Sequence, residues 1–172
     1  MLKPDEFNFC PACGEAMVNG REAARECSAS GCDFMFWNNP TPVVAAIVET
    51  SAGVILAHNV AWPAGMMGLI TGFLESGESA EVGVLREVKE ELNLDATEAN
   101  YVGTYEFRRM NQIIIAYHVP ADGPITLNEE LDDYRAVPPA KLRPWPFGTG
   151  DAVRDWMLSK GLKPVPMEWP PA

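Results

Sequence analysis

The 172-residue sequence predicts an α/β protein: a mixed sheet with helices on its faces, preceded by a small module of its own. Three observations carry this reading. Strand-like segments lie on both sides of one strongly patterned helix, the arrangement that packs helices against a mixed sheet. The hydrophobic share is 47% and the charged share 22%, proportions that go with a packed core rather than with disorder. All four cysteines fall in the first 32 residues, so the N-terminal stretch has a chemistry that the rest lacks.

That stretch reads Cys10-x2-Cys13 and Cys27-x4-Cys32, with thirteen residues between the pairs. The spacing is that of a zinc site on two knuckles, with four thiolates at ~2.3 Å closing a tetrahedron that leaves no open position. Gly14 and Gly31 suit the tight turns such knuckles need. The competing readings are two disulfides or four unrelated thiols. Disulfides go with export, and "MLKPDEFNFC" lacks the apolar stretch of a signal peptide. A tail this short cannot bury enough apolar surface to fold unaided, so one structural Zn²⁺ would supply its stability. The expected domains are a zinc ribbon over residues 1–37 and a larger domain over residues 38–172. Arg21 and Arg25 are offset by Glu15, Glu22 and Glu26, so the module is no basic patch, and a packing or dimerisation role suits it better than nucleic-acid binding. The aromatics of "FMFWNNPTP" are expected to dock it on the next domain.

The larger domain opens with strands at residues 43–49 and 53–59, joined by a turn at Ser51, Ala52 and Gly53. "GMMGLITGF" is a short strand meeting a loop. "SAEVGVLREVKEEL" is the best helix in the chain, capped by Ser79, with Glu81 in its first turn. "ANYVGTYEFRR" and "NQIIIAYHV" are strands turning near Met110 and Asn111, and "YRAVP" is one more. "GTGDAVRDWMLSKG" forms the last helix, with Asp151 near its start and Gly161 beyond its end. The proline-rich tail after it is expected to be extended.

At 100° per residue, Val84, Leu85, Val88 and Leu92 share the core face of the central helix. Glu87, Glu90 and Glu91 converge on another, related by i, i+3 and i+4 spacing. Gly83 lies one turn before Glu87 and leaves room for a bulky neighbour. Such a cluster is either a solvated face or a site where divalent cations neutralise the carboxylates. Residues upstream decide between them. Gly72, five residues, Glu78, seven residues, then Arg86-Glu87-Val88-Lys89-Glu90-Glu91-Leu92-Asn93-Leu94 resembles the Nudix hydrolase box at eight of its nine fixed positions. The departure is Asn93 where the box ends in glycine, and asparagine also tolerates the left-handed conformation that ends a helix.

The resemblance implies a Nudix α/β/α sandwich on a mixed sheet. It also implies hydrolysis of a nucleoside diphosphate linked to another group, with Mg²⁺ (or Mn²⁺), two or three ions, as cofactor. Glu87, Glu90 and Glu91 become the metal-binding and base-supplying carboxylates, and Gly72 offers a backbone carbonyl to metal. Arg86 holds the glutamates by ion pairs, and Glu78 joins that network or the loop. A later-loop glutamate, Glu130 or its neighbour Glu129, is a further candidate ligand or base. A homodimer is implied as well.

A four-cysteine ribbon before such a domain is similar to the NADH pyrophosphatase group, as is Thr71-Gly72-Phe73 before the box. That group carries Ser-Gln-Pro-Trp-Pro-Phe-Pro-x-Ser shortly after the box, where this chain has "TYEFRRMNQIII". Its "PWPFG" at residues 144–148 stands some 50 residues past the box and reads as a loop before the last helix. NADH, FAD and ADP-ribose therefore all stay open as substrates. Arg108 and Arg109 could meet phosphates, and Phe73, Tyr105, Phe107 or Trp62 could lie against a substrate, although aromatics in strands usually pack the core. His58 and His118 are isolated in the sequence and take no assignment.

A net charge of −11 opposes binding to long nucleic acid, whose affinity comes from Lys and Arg on phosphates. No apolar run reaches the ~20 residues that cross a bilayer, so a cytoplasmic protein with no membrane partner is expected. Two alternatives stand beside the small-molecule pyrophosphatase. One is removal of NAD-type caps from RNA. The other is a non-catalytic Nudix-fold sensor of ADP-ribose-like ligands, which the intact glutamate set disfavours.

Overall fold

The computed structural model of the chain describes residues 6–21 and 24–168. It divides into two compact units, Met1–Pro40 and Thr41–Ala172, against an expected boundary after Trp37.

In the first unit, strands β1 (Met17–Asn19), β2 (Arg25–Cys27) and β3 (Met35–Phe36) form a small antiparallel sheet. Its apolar content is slight: Phe7 stacks on Phe36 at 4.5 Å between ring centroids and on Phe34 at 6.4 Å. Two aromatics expected to serve docking thus have a stacking partner within the module itself.

The second unit is built on β4 (Thr41–Thr50), β5 (Gly53–Asn59), β6 (Ile70–Phe73), β7 (Asn100–Phe107), β8 (Gln112–Pro120) and β9 (Leu131–Val137). The order is β7-β8-β4-β5-β9, with β6 also paired to β4. Only β4 and β8 run parallel; the other pairs are antiparallel. Helix α1 (Ala80–Leu92) covers one face and α2 (Gly150–Ser159) the other. Both faces of β4 are therefore buried, which explains its unbroken apolar run. Val43, Ala45 and Ile47 pack with Val153, Trp156 and Met157, while Val44, Ala46 and Val48 pack with Val84, Val88 and Leu92.

One edge of β4 is shared. β5 pairs with it only at Glu49 and Thr50, and β6 takes Val43 to Ala46. β5 and β6 meet again where Ala57 and Gly68 exchange two backbone hydrogen bonds of 2.9 Å. The segment between them forms a closed loop, with the Trp62 ring so near Gly68 that a Cβ there would lie 2.8 Å from it. β9 begins at Leu131, earlier than the expected strand at residues 134–138, because pairing with β5 continues through a register shift at His58 and Asn59. The "PWPFG" segment is irregular chain before α2, with Trp145 buried in the core. The tail has no regular structure through Glu168, and its last four residues lie outside the described residues. No helix among the described residues is long and apolar enough to cross a membrane.

Candidate active site

The site is assembled on α1 and the strand that precedes it. The Ser79 side chain accepts a hydrogen bond from the Val82 amide and caps the helix start, and Asn93 closes it with φ 56° and ψ 26°. Val84, Val88 and Leu92 are fully buried beneath the helix, whereas Leu85 is half-buried. The space beside Gly83 is filled by Glu78 and Leu74: a Cβ there would lie 2.9 Å from Glu78 Oε1 and 3.1 Å from Leu74 Cδ1.

Arg86 organises the carboxylates. Its Nη2 and Nε donate to the two oxygens of Glu78 at 2.8 and 3.2 Å. Nη1 donates to Glu87 Oε1 at 2.8 Å and to Glu90 Oε2 at 2.9 Å, and Nη2 reaches the Phe73 carbonyl at 3.1 Å. One guanidinium thereby locks helix, loop and β6 together, with the forked geometry that arginine alone provides. Glu78 also accepts from the Glu75 amide at 2.8 Å. The Arg86 hydrogen bonds hold the Glu78 carboxyl below its ordinary pKa. Gly72 lies directly against Glu87, where a Cβ would be 1.9 Å from Glu87 Cδ. No other residue fits there while that carboxylate stays in place.

Glu91 differs from its neighbours. It is 5% exposed, and among the described residues no cationic side chain pairs with it. Burial, with the charges of Glu87, Glu130 and Glu90 around it, pushes its pKa up to about 8. Burial likewise raises the Glu87 carboxyl, and Arg86 opposes the rise. Glu130 contributes because the loop before β9 wraps the end of α1: the Asn128 amide donates to the Glu91 carbonyl at 3.3 Å and the Thr126 amide to the Leu92 carbonyl at 3.0 Å. Glu130 is exposed and sits in the turn that feeds β9. A buried carboxylate with no cationic side chain paired to it, on the same helix as Glu87 and Glu90, offers the hard oxygen donor that a divalent ion such as Mg²⁺ takes, although among the described residues only the cysteines gather their ligand atoms into one cluster.

Among the described residues, no side chain of the remaining candidates joins this network. Phe73 is 58% exposed; its carbonyl rather than its ring is engaged. Arg108 is exposed and pairs with Glu106 at 2.9 Å, and Arg109 is exposed. Tyr105 donates to Asp155 at 3.1 Å, and Phe107 packs on the α2-side core. Both therefore serve the fold. Sequence reasoning missed His58, which binds Asp132 and the Pro63 carbonyl. A solitary histidine whose carboxylate partner is 74 residues away leaves no local pattern to read.

In the N-terminal unit the four sulfurs of Cys10, Cys13, Cys27 and Cys32 lie within 4.8 Å of one another, and all four cysteines are free. Cys10 and Cys32 are 3.7 Å apart, Cys13 and Cys27 3.4 Å. Thiolates ~2.3 Å from a shared zinc stand ~3.8 Å apart at the corners of a tetrahedron, so the set fits zinc. The knuckle glycines carry the positive φ their turns require, 80° at Gly14 and 89° at Gly31.

A carboxylate-bearing helix under an arginine clamp, laid on a mixed sheet behind a glycine strand, defines the larger unit as a Nudix-type α/β domain. The NUDIX domain family model matches residues 39–155, and the chain belongs to that family. It is 31% identical over 146 residues to a protein of Pseudomonas putida strain W619 named NAD-capped RNA hydrolase NudC, covering 83% of this chain and 52% of that protein. It is 29% identical over 160 residues to the protein of the same name from Vibrio vulnificus, covering 92% of this chain and 54% of the relative. The chain thus spans about half the length of the curated relatives it matches. Among solved structures, a NUDIX hydrolase from Nitrosomonas europaea superposes with a TM-score of 0.74 at 21% identity, covering 92% of this chain and 96% of that one. An ADP-ribose pyrophosphatase from Streptococcus suis superposes at 0.59 and 17% identity, covering 74% and 96%. At these identities the two structures bear on the fold alone.

Proposed function

We propose that the chain hydrolyses the pyrophosphate bond of an ADP-containing dinucleotide or ADP-ribose-like compound, with NADH, FAD and ADP-ribose as the substrate class. The observation that carries this reading is Glu91, a buried carboxylate with no cationic partner among the described residues, whose pKa the charges of Glu87, Glu130 and Glu90 help to raise. These four carboxylates and the Gly72 carbonyl would hold two or three Mg²⁺ or Mn²⁺ ions. When bound, such ions neutralise the diphosphate and acidify the attacking water.

The chain's own groups do the rest. Arg86 keeps Glu87 and Glu90 in fixed rotamers, so no ordering cost is met when substrate arrives. Gly72 leaves the space that Glu87 occupies. Glu130, or a glutamate of α1, takes the proton from water as it attacks phosphorus in line with the leaving oxygen. Phe73, Arg108 and Arg109 would serve as weaker substrate contacts. Cys10, Cys13, Cys27 and Cys32 would hold one structural Zn²⁺, as their spacing suggests, and the enzyme is read as cytoplasmic and, by its resemblance to ribbon-bearing relatives, as a homodimer.

A second reading has support of its own, because the relatives at 29–31% identity are named for NAD-capped RNA. The same bond would be cut at an RNA end, and the net charge of −11 favours a short substrate over a long one. A turnover panel with Mg²⁺ or Mn²⁺ tests both: NADH, NAD, FAD, ADP-ribose, diadenosine polyphosphates, nucleoside triphosphates and a short NAD-capped RNA. Cleavage of the dinucleotides in preference to triphosphates is expected. Hydrolysis of triphosphates alone, or no metal-dependent hydrolysis, would reject the proposal.

A further inference from the structure

His58 is 9% exposed, and both ring nitrogens face acceptors. Nδ1 lies 2.5 Å from Asp132 Oδ1, and Nε2 lies 3.2 Å from the Pro63 carbonyl oxygen. A carboxylate and a carbonyl cannot both be satisfied by a neutral ring, which has one N–H and one lone pair. The contacts are complete only when both nitrogens carry protons. Bonding to Asp132 raises the His58 pKa against the opposing pull of burial, and the Pro63 carbonyl and Asp133 add to the rise.

The three points joined are separate in sequence and adjacent to the site. Pro63 belongs to the closed loop between β5 and β6, which leads to Gly72. Asp132 lies two residues after Glu130, on the first turn of pairing between β5 and β9. His58 marks the register shift of that pairing. Immediately beyond it, the Val60 amide donates to the Glu130 carbonyl at 2.9 Å. Asn59 steadies the same corner: its side chain accepts from the Ala61 amide and its carbonyl from the Trp62 amide, each at 2.9 Å.

We propose that His58, bonded at once to Asp132 and to the Pro63 carbonyl, is a positioning residue that fixes the loop carrying Glu130 at the end of α1. It acts through the backbone of the loop and touches no substrate. The inference rests on the reading of Glu130 as a working carboxylate of the pyrophosphatase site, but its structural half can be read without turnover.

The Val60 amide supplies that readout. Its hydrogen exchange should speed up at least about tenfold in His58→Leu, which removes both donors, and in Asp132→Ala, which removes one exposed acceptor and leaves the core intact. Unchanged exchange in both variants overturns the proposal, and Asp132→Ala decides the matter if His58→Leu does not fold. In turnover of NADH with Mg²⁺, His58→Leu should lower kcat about tenfold with KM held within about twofold, and this loss should vanish in a Glu130→Gln background. An equal loss in both backgrounds indicates a merely structural role and overturns it. Absence of any turnover by the wild-type chain would defeat the functional reading, leaving the exchange result to judge the tie between His58 and Glu130.

Discussion

The chain gathers like-charged or like-natured ligands in two places, by opposite means. At the cysteine site four sulfurs converge within 4.8 Å in a unit whose apolar packing among the described residues is small, three stacked phenylalanines with buried Met17 and Ala24. At the glutamate site the carboxylates sit on a helix that is already secured by its own apolar core of Val84, Val88 and Leu92 against the sheet. One of them, Glu91, lacks a counter-ion among the described residues, while Arg86 holds the others. In the first case a bound zinc would take the place of a core. In the second the helix has a core of its own, and a divalent cation would offset the burial of Glu91. A closed ligand set of the first kind would serve stability, and an open one of the second kind chemistry.

Removing zinc should give the largest effect. Apparent binding energies of ~10–16 kcal/mol make such modules unfolded without metal. Cys13→Ser, or a strong chelator, should collapse the amide dispersion of residues 6–37 and leave the melting transition of the larger unit in place. Loss of both together would erase the contrast between the two sites. Arg86→Ala comes next. It strands Glu87 and Glu78, whose side chains are each 12% exposed, and breaking a buried pair from one side costs ~3–5 kcal/mol. Denaturant unfolding should show most of that loss, and Mg²⁺ should restore part of it. A cost below about 1 kcal/mol would mean the cluster behaves as a solvated surface. Gly72→Ala forces the Glu87 carboxylate aside, at ~1–3 kcal/mol by the usual cost of overpacking, with weaker Mg²⁺ binding by calorimetry.

The smallest effect is on pH dependence. Burial and the neighbouring carboxylates push Glu91 in the folded, metal-free chain up to about 8, above the ordinary 4.5 of a glutamate. A folded pKa raised above the unfolded one means protonated Glu91 favours the native state below about 4.5, and that contribution is lost as pH rises through about 8. Stabilisation by Mg²⁺ should therefore be greater at pH 8 than at pH 6, and binding near pH 7 should release a proton to buffer. Glu91→Gln should abolish both differences.

Much of this was legible before the fold was known. Ser79, the 3.6-residue spacing of Val84 and Val88, and Asn93 specify α1 from local chemistry, and the cysteine spacing specifies the knuckles. The hairpin of β4 and β5 follows from apolar runs flanking Ser51, Ala52 and Gly53. The i, i+3 and i+4 spacing of Glu87, Glu90 and Glu91 needs only helical periodicity, whereas the pairing of Glu87 and Glu90 with Arg86 and the burial of Glu91 do not show in it. What escaped depends on long-range pairing. The division of the β4 edge between β5 and β6 has no sequence signal, and the extension of β9 back to Leu131 comes from pairing with β5 rather than from its own polar residues. The room at Gly83 is visible as a missing side chain, but its occupants, Glu78 and Leu74, are set by how the loop folds back. His58 reads as an isolated histidine until the register shift brings Asp132 to it.

The most direct test of the account is the rate of NADH hydrolysis with saturating Mg²⁺ by the wild-type chain and by Glu91→Gln, an isosteric change that removes the buried charge. If that carboxylate recruits the cation, kcat should fall at least about 100-fold, the equivalent of ~3 kcal/mol of lost transition-state stabilisation. Equal rates in the two proteins would contradict it.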